Sequence, residues 1–366
     1  MVGVGIIGMG SISGQHIEAY KTFQKRCRIY GVYDRKKEKA VEKSQVYGLE
    51  ADIYTDYREL LKDSRIQLVS ICLPPFLHKT VAIDCMKEGK DVLVEKPMAP
   101  SLEECDEMLQ VQKKTGRYLG VVSQNRYLKD YVFLKKMIQT GRLGVLLSGS
   151  AKSCWYRGEA YYKPEWRGTW EFEGGGCVLN HAVHQIDLLN WMLGKPRTVL
   201  AMTANVNHRK SQVEDLAAAI LQYDRGMMVT LQTSLIAQQE EQGILLEGME
   251  AAVSAPISFS CKIQMENGFP RNDVKKKEEF EQEYTKLKGP FQTPFFGQIN
   301  DVLESVETGE EKGVTGYDGR DSIEVITAIY ASARGKMPVE LPIGSSSYFY
   351  KKETRMKQLK GEEKEK

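Results

Sequence analysis

The chain lacks the features that mark membrane, secreted and nucleic-acid-binding proteins. No apolar run approaches the ~18 residues that a membrane span requires, and the first residues form a strand pattern with no signal-peptide pattern. The 51 basic and 49 acidic side chains give a net charge of +2. Charge therefore gives no reason to expect nucleic acid or a membrane surface as a partner. The sequence also contains no internal repeat.

Paired cysteines are missing as well. The seven cysteines are odd in number and include no CxxC pair, which argues against a disulfide framework and against a zinc site. We therefore expect reduced thiols, a cytoplasmic location and no bound metal. The cysteines are scattered along the chain: Cys27, Cys72, Cys85, Cys105, Cys154, Cys177 and Cys261.

The first third of the chain alternates between strand-like and helix-like patterns. Strands are predicted at residues 2–7, 28–33, 68–73, 91–94 and 118–122, and helices at 14–25, 36–47, 78–88 and 101–115. Such alternation is typical of an α/β Rossmann fold, a doubly wound parallel sheet. With 366 residues, the chain is long enough for a second domain. We predict an NAD(P)-binding domain over residues 1–124.

After residue 124 the pattern changes to consecutive strands. These are predicted at residues 143–153, 198–206, 217–223, 227–236, 244–246 and 257–265, with a hairpin turn at Asp224-Arg225-Gly226. We expect residues 125–350 to form an α+β domain with a large, mainly antiparallel open sheet. This domain would bind the substrate and support a homo-oligomer, either a dimer or a tetramer. A late helix is predicted at 322–335, and the charged tail 351–366 is predicted to be a frayed helix or disordered.

A glycine turn near the N-terminus points to a dinucleotide. Gly8 permits a tight turn after the first strand, and Gly10 lets the backbone approach a pyrophosphate. The turn residues Ser11 and Ile12 lead into a helix whose free N–H groups suit phosphate. A small residue, Ser13, takes the place of the third glycine in the usual pattern.

The second strand ends in a carboxylate that suits the adenosine ribose. Asp34 lies about 20 residues beyond the turn and favours NAD, because it would repel the 2′-phosphate of NADP. The cations Arg35, Lys36 and Lys37 leave NADP possible.

Residues 177–193 are predicted to form a helix with one apolar and one polar side. At about 100° per residue, Asn180, His184 and Asp187 fall on the polar side, where an imidazole between an amide and a carboxylate suits acid–base chemistry. The alternative is an ordinary solvated helix face. His181 lies about 100° from Asn180, so a metal site with His184 and Asp187 is disfavoured.

Two further segments support a catalytic site. Glu95-Lys96-Pro97 closes the fourth predicted strand, at the edge where doubly wound sheets bind ligands, and the lysine can contact a substrate hydroxyl. Gly174-Gly175-Gly176 lets the chain pass close to a neighbour before the helix begins. A surface lysine and a flexible loop are the alternatives.

Taken together, these motifs resemble the Gfo/Idh/MocA family, the group of glucose–fructose oxidoreductase, inositol dehydrogenase and rhizopine-catabolism proteins. The resemblance covers nearly the whole chain. It rests on the glycine turn and the blocks already named, and on further motifs: Leu73-Pro74-Pro75-x-x-His78, Gln124-Asn125-Arg126, Trp166-Arg167, His184-x-x-Asp187 and Gly316-Tyr317-Asp318-Gly319.

The resemblance implies a two-domain NAD(P)-dependent sugar or polyol dehydrogenase, often tetrameric. By position, Lys96 and His184 match the catalytic lysine and histidine. Asn180 stands where many members have Asp. Asn also occurs at this position in some relatives that act on nucleotide sugars or glucosides. An amide cannot stabilise an imidazolium by charge, so His184 is expected to be less basic unless Asp187 compensates.

We expect the cofactor-binding and sugar-binding candidates to line one cleft. In addition to the turn and Asp34, the cofactor is expected to contact Leu73, Pro74, His78, Glu95, Lys96 and Gln124. Sugar-binding candidates are Arg126, Tyr156, Trp166, Arg167, Asn180, His181, His184 and Lys96, with core packing as the alternative for the first four.

The leading functional expectation is an NAD-dependent glucoside 3-dehydrogenase that yields a keto-sugar. Inositol and a UDP-N-acetylhexosamine are alternative substrates. A glycosidase that oxidises its substrate transiently and a non-catalytic dinucleotide-binding sugar sensor are alternative functions.

Overall fold

The computed structural model describes residues 1–289, 291 and 293–360. Its first domain is built on a six-stranded sheet in which every pair of neighbours is parallel. The strands are β1 (Val2–Ile7), β2 (Cys27–Tyr33), β3 (Asp52–Tyr54), β4 (Leu68–Ile71), β5 (Asp91–Val94) and β6 (Leu119–Val121). Their order in the sheet is β3-β2-β1-β4-β5-β6. This is the predicted doubly wound fold.

Helices connect these strands and cover both faces of the sheet. They are α1 (Ser13–Thr22), α2 (Lys37–Tyr47), α3 (Tyr57–Lys62), α4 (Pro75–Lys87) and α5 (Leu102–Thr115). The sequence did not predict β3 and α3, which have three and six residues and are too short to show a hydrophobic period. The order reverses between β1 and β4, so the turns that follow these strands meet at the carboxyl edge, where a ligand binds in such sheets.

The second domain contains an eight-stranded mixed sheet. Its strands are β7 (Leu146–Tyr156), β8 (Thr198–Ala204), β9 (Leu216–Gln222), β10 (Met228–Ser234), β11 (Ile236–Gly248), β12 (Ala252–Ala255), β13 (Ser258–Ser260) and β16 (Val339–Glu340); a separate hairpin pairs β14 (Lys262–Gln264) with β15 (Pro270–Asn272). The sheet order is β13-β12-β11-β7-β10-β9-β8-β16, and the β7–β10 pair is parallel while the other described pairs are antiparallel. The predicted hairpin turn does join β9 to β10.

Six helices complete the described part of the chain. They are α6 (Lys129–Gln139), α7 (Val183–Leu193), α8 (Val274–Lys286), α9 (Pro294–Thr308), α10 (Gly316–Gly335) and α11 (Lys352–Lys360). None of the helices in the described part of the chain has the length and apolarity that crossing a bilayer requires. α10 packs on α5, α7 and β8 and so joins the two domains, and α9 returns to pack on α1.

Several boundaries differ from the sequence-based expectations. The late helix begins at Gly316 instead of residue 322, because Thr315 and Asp318 form a capping box. The regular helix expected from residue 177 begins only at Val183 and is preceded by a π-helical turn, Val178–Ala182. The tail is helical up to Lys360, and Arg355 within it is buried. Residues 361–366 of the predicted tail lie outside the described residues.

Candidate active site

The glycine turn after β1 has the geometry that a phosphate requires. Gly8 has a φ of +98°, and a Cβ there would lie 2.5 Å from the Cys72 carbonyl oxygen. A Cβ on Gly10 would meet nothing within 4 Å, so open space borders the turn. The Ser13 hydroxyl donates to the Gly10 carbonyl over 2.9 Å. A pyrophosphate therefore has room against the N-terminus of α1, beside exposed Ser11.

The Asp34 carboxylate lies against this turn. It accepts the Met9 N–H and the Lys36 N–H, each over 2.9 Å. Because each carboxylate oxygen has two lone pairs, Asp34 can still accept a ribose hydroxyl. Arg35 is exposed, and Ile12 is partly exposed at the start of α1.

Lys43 is a cation at the turn that the sequence reasoning missed. Its ammonium group donates to the Gly10 carbonyl and, over 3.1 Å, to the Ser13 hydroxyl. The residue lies on α2, and only the packing of α2 against α1 brings it to the turn. A lysine in the middle of a charged helix gave no signal in the sequence.

The turns after β4 and β5 are tied together. The His78 ring nitrogens lie 2.7 Å from the Leu73 carbonyl oxygen and 2.9 Å from that of Pro97. Both polar atoms of this predicted cofactor residue are thus used within the protein, and they fix the turn that contains Pro74. The Glu95 carboxylate is buried, and one of its oxygens lies 2.9 Å from the Nε2 atom of His16 on α1.

Lys96 connects the nucleotide-binding domain to the second domain. Its Nζ atom donates to the Asn180 backbone carbonyl over 3.0 Å. Burial lowers the pKa of Lys96 from its usual value. An ammonium group has three N–H donors, so two remain for a substrate oxygen.

Asn180 lies in the π turn, where i→i+5 hydrogen bonds widen the helix. Its side-chain amide donates to the Gly175 and Gly176 carbonyls over 2.7 and 3.3 Å. The amide thus holds the preceding loop, and it is the Asn180 main chain that contacts Lys96. Such turns are frequent at functional sites, and the hydrophobic pattern did not reveal this one.

The three consecutive glycines are required by close packing. A Cβ on Gly174 would lie 2.8 Å from the Pro100 Cβ, and one on Gly175 would lie 2.2 Å from the Tyr330 hydroxyl. A Cβ on Gly176 would lie only 1.8 Å from the Glu214 carbonyl oxygen. The segment is therefore closely packed, whereas the alternative that the sequence left open was a flexible loop.

Glu214 anchors the π turn and was also missed from the sequence. Its buried carboxylate accepts the Gly176 and Val178 N–H groups over 3.0 Å and the Tyr330 hydroxyl over 2.8 Å. Its neighbour Asp215 accepts three N–H groups of the loop that contains His208. A Val-Glu-Asp segment at the start of a strand gave no sign of either contact.

The two histidines of the predicted helix lie close to Lys96. Burial first, and then the positive charge of Lys96, lower the pKa of His184 well below its usual range, and the same two effects lower the pKa of His181. Both rings are therefore neutral at neutral pH. No described residue hydrogen-bonds to the His184 ring, which leaves its nitrogens for a ligand, and the buried His181 Nδ1 atom also has no partner among the described residues.

Asp187 is held by another residue. The buried Arg126 guanidinium donates two hydrogen bonds, of 2.7 and 2.9 Å, to the Asp187 carboxylate, and a third of 3.0 Å to Asp318. Although Asp187 is one turn beyond His184, no hydrogen bond joins them in the described chain. Asp187 is thus engaged in an ion pair with Arg126, which joins the 3₁₀ turn Gln124–Tyr127 to α7 and α10, and among the described residues it makes no hydrogen bond that would compensate for the amide at position 180.

Aromatic rings and guanidinium groups form one wall beside His181. The ring centroids of Trp155 and Tyr161 lie 6.2 and 5.9 Å from that of His181. The Arg167 guanidinium lies 4.0 Å from the Tyr161 ring centroid and 4.3 Å from that of Trp166. Such surfaces suit the C–H faces and hydroxyls of a sugar. Of these residues, Trp155 and Tyr161 were not predicted.

The wall also carries an acidic group and an exposed edge. Glu173 accepts from Arg167 over 3.1 Å, and burial raises the pKa of the Glu173 carboxyl to about 7. Tyr156, a predicted sugar contact, is 51% exposed at the end of β7.

A nicotinamide cofactor fits the residues at this edge. The buried Gln124 Oε1 atom follows β6 and accepts no hydrogen bond from the described residues, so it suits a carboxamide donor. The open space at Gly10 and the position of Asp34 suit the other end of the molecule. The described residues contain no group of three or more His, Cys, Asp or Glu side chains placed to hold a metal ion.

Comparisons with known proteins match both halves of the chain. Residues 2–123 match the family model described as "Oxidoreductase family, NAD-binding Rossmann fold", and residues 135–341 match "Oxidoreductase family, C-terminal alpha/beta domain". Both models carry the Gfo/Idh/MocA label.

Individual relatives are distant. An uncharacterised oxidoreductase of Schizosaccharomyces pombe is 29% identical over 57% of this chain and 56% of its own length. Inositol 2-dehydrogenase 2 of Saccharopolyspora erythraea is 24% identical over 92% of this chain and 95% of its own. For several of the curated relatives, the chain therefore spans under two thirds of their length.

Among solved structures, the WlbA dehydrogenase of Bordetella pertussis, in complex with NADH and UDP-GlcNAcA, is 27% identical. It has a TM-score of 0.82 and covers 94% of this chain and 98% of its own. Levoglucosan dehydrogenase, with NADH and levoglucosan, has a TM-score of 0.80 at 20% identity and shares the fold over 93% of this chain.

Proposed function

The chain belongs to the Gfo/Idh/MocA family of oxidoreductases, and on that premise we propose that it is an NAD-dependent dehydrogenase that oxidises a ring hydroxyl of a pyranoside sugar. The observation that carries this proposal is the 3.0 Å hydrogen bond from Lys96 to the Asn180 carbonyl. It joins the carboxyl edge of the nucleotide-binding sheet to the turn that leads into the His184 helix. This contact supports a site in which the Lys96 amine, the neutral His184 imidazole and the aromatic wall beside His181 lie near one another.

In this proposal His184 is the general base. NAD⁺, when bound, accepts the hydride from the carbinol carbon. A His184 ring nitrogen takes the hydroxyl proton, since its lowered pKa keeps the ring neutral and its nitrogens have no partner in the described chain. Lys96 donates a hydrogen bond to the same oxygen and stabilises the negative charge that develops there. The His181 Nδ1 atom accepts from a neighbouring hydroxyl.

For the substrate we propose the C3 hydroxyl of a glucoside. Asn180 supports this choice, because the resemblance associates an amide at this position with nucleotide sugars and glucosides. The solved WlbA complex contains a nucleotide sugar, which makes a UDP-hexosamine derivative the second candidate. Inositol is the third, since some of the curated relatives are inositol 2-dehydrogenases.

A panel of substrates tests the proposal directly. The protein is incubated with NAD⁺ and alkyl or aryl glucosides, free hexoses, inositols and UDP-sugars, and NADH formation is followed. Reduction of NAD⁺ by a glucoside, with a 3-keto product, is expected. Hydrolysis without net NADH release would identify a glycosidase that oxidises its substrate transiently, and no turnover on any sugar would favour a sensor.

His184→Ala tests the base. Hydride transfer is expected to fall about 10²-fold or more, because a positioned base contributes about that much. NADH binding, measured by fluorescence titration, is expected to stay unchanged. His181→Ala serves as the comparison and is expected to raise KM more than it lowers kcat. Wild-type turnover in His184→Ala would contradict the assignment.

The preference for NAD follows from Asp34. Since its carboxylate repels a 2′-phosphate, kcat/KM is expected to be higher for NAD⁺ than for NADP⁺ in steady-state assays. Equal values would show that the cations of residues 35–37 dominate.

We also propose a homo-oligomer in a reducing, cytoplasmic compartment. All seven cysteines are buried and unpaired, which suits reduced thiols. The outer face of the eight-stranded sheet exposes large apolar side chains that a second copy would cover, namely Leu200, Met202, Ile220 and Met228.

A further inference from the structure

The C-terminal helix inserts one charged side chain into the interior. Arg355 lies on α11, a mostly charged helix in which Met356 and Leu359 pack against the core, and it is only 1% exposed. Its Nη2 atom donates to the Gly174 carbonyl, and its guanidinium lies 5.5 Å from the Tyr330 ring centroid. Helix α11 therefore touches the glycine segment that precedes the π turn.

Burial of this cation is costly, and the protein compensates for it only in part. The Arg355 Nε and Nη1 atoms have no hydrogen-bond partner among the described residues. The carboxylates of Glu104 and Glu214 are the formal negative charges that act on the guanidinium. A surface lysine would attach the helix at a smaller desolvation cost, so helix attachment alone does not explain a buried arginine here.

Two paths of direct contacts lead from Arg355 to the π turn. The first is the hydrogen bond to the Gly174 carbonyl. The second passes through Tyr330, whose hydroxyl donates to Glu214 over 2.8 Å. Glu214 in turn accepts the Gly176 and Val178 N–H groups, and Val178 is the first residue of the π turn.

The same turn holds the groups proposed to act on the substrate. Asn180 binds the glycine segment through its amide and Lys96 through its carbonyl, and His184 follows at the start of α7. The three glycines have no side chains of their own to restrict the backbone. Their conformation therefore depends on contacts made by other residues.

We infer that Arg355 is a positioning residue, which fixes the glycine segment 174–176 and through it the turn that aligns Asn180 and His184 with Lys96. The inference rests on the proposed function, because it takes His184 and Lys96 as the groups that act on the substrate. The C-terminal helix is then part of the active-site architecture, although it contains no residue that touches the substrate.

Hydrogen–deuterium exchange tests the positioning independently of turnover. Arg355→Met keeps an unbranched side chain and removes the charge and the donors, and Lys357→Met is the matched control, since Lys357 is exposed on the same helix. Amides of residues 174–182 are expected to exchange at least five-fold faster in Arg355→Met and at the wild-type rate in Lys357→Met. Arg355→Lys, which retains the charge but lacks the planar guanidinium, is expected to be intermediate and serves if Arg355→Met does not fold.

Kinetics separate positioning from general stability. Below the melting temperatures of all variants, Arg355→Met is expected to lower kcat at least five-fold, with the NADH dissociation constant unchanged and a larger deuterium isotope effect on the transferred hydrogen. Tyr330→Phe is expected to be non-additive with Arg355→Met, because one of the two paths from Arg355 passes through the Tyr330 hydroxyl to Glu214.

Two results would overturn the inference. One is an unchanged exchange rate at residues 174–182 in Arg355→Met. The other is a uniform rise in exchange over the whole chain with kcat unchanged, which would give Arg355 a structural role only. If the wild-type protein turns over no sugar, the proposed function fails, and the exchange experiment still decides whether Arg355 orders this segment.

Discussion

At the residue scale, charge and burial set the protonation of the proposed catalytic pair. Lys96 and His184 come from different domains and lie close enough for the charge of Lys96 to act on the imidazole. A carboxylate beside the histidine would raise the pKa of the imidazole, but Asp187 is held by Arg126, and position 180 is an amide. The imidazole is therefore a weak base that needs no deprotonation at neutral pH before it accepts a proton.

Lys96→Met tests this electrostatic coupling. Without the lysine charge, the pKa of His184 is expected to rise toward its usual value, so the acid limb of kcat/KM moves to higher pH. The value of kcat is expected to fall about 10²-fold, because the substrate oxygen loses its hydrogen-bond donor. The measurement is a pH–rate profile together with an NMR titration of the histidine rings.

Lys79→Met is the control for this variant. Lys79 is a half-buried lysine on α4 that pairs with Glu107 over 3.0 Å, and its charge is not among the causes that lower the pKa of His184. The acid limb of the kcat/KM profile of Lys79→Met is expected to match that of the wild type. An unmoved limb in Lys96→Met would show that burial alone sets the pKa of His184.

At the scale of the element, the π turn and the glycine segment act as one unit. The turn has no side-chain N-cap of its own, and its free N–H groups are accepted by Glu214, which lies just before β9. The glycines allow this close approach, because any side chain at Gly176 would overlap the Glu214 main chain. The wide turn is thus maintained by tertiary contacts more than by its own sequence.

Gly176→Ala is expected to disrupt this unit. The new Cβ would lie 1.8 Å from the Glu214 carbonyl oxygen, so the backbone must shift, at a cost of about 1–3 kcal/mol or more in the free energy of unfolding. Urea denaturation measures that cost, and kcat is expected to fall with it. Gly158→Ala is the matched control, since a Cβ there meets nothing within 4 Å. Equal stability of the two variants would contradict the packing argument.

At the scale of the whole molecule, the proposed function assigns the cofactor to the first domain and the substrate to the second. α10 and α9 pack back on the first domain, so the Lys96–Asn180 contact lies between elements that tertiary packing holds together. The inner face of the eight-stranded sheet is covered by α7 and α10. Its outer face carries Leu200 directly opposite Ile220, both exposed.

Ile220→Asp is expected to weaken self-association through this outer face. A carboxylate in an apolar interface must be desolvated without a partner, which is costly. Sedimentation velocity is expected to show a wild-type species larger than the 41.5 kDa chain and a shift toward the monomer in the variant. Val46→Asp, at an exposed apolar residue on α2, is the control. A monomeric wild-type protein would contradict the proposal.

The sequence predicted what local patterns encode. The parallel sheet was predicted from the alternation of strand-like and helix-like segments. The Rossmann turn was predicted from Gly8 and Gly10, since glycine permits a conformation that few other residues adopt. The sequence did not predict β3 and α3, because elements of three to six residues are too short to show a hydrophobic period. The sequence analysis also did not predict α6, α8 and α9, of which α8 is strongly charged.

The sequence by itself therefore determined the fold class, the dinucleotide turn and the identities of Lys96 and His184 as candidates, since each rests on residue type and on spacing along the chain. Tertiary structure alone decided which groups meet. Asp187 binds Arg126, Glu214 anchors the π turn, and Arg355 reaches Gly174 from 181 residues away. Such contacts depend on how distant elements pack, and a single sequence holds no local signal of which charges will be buried together.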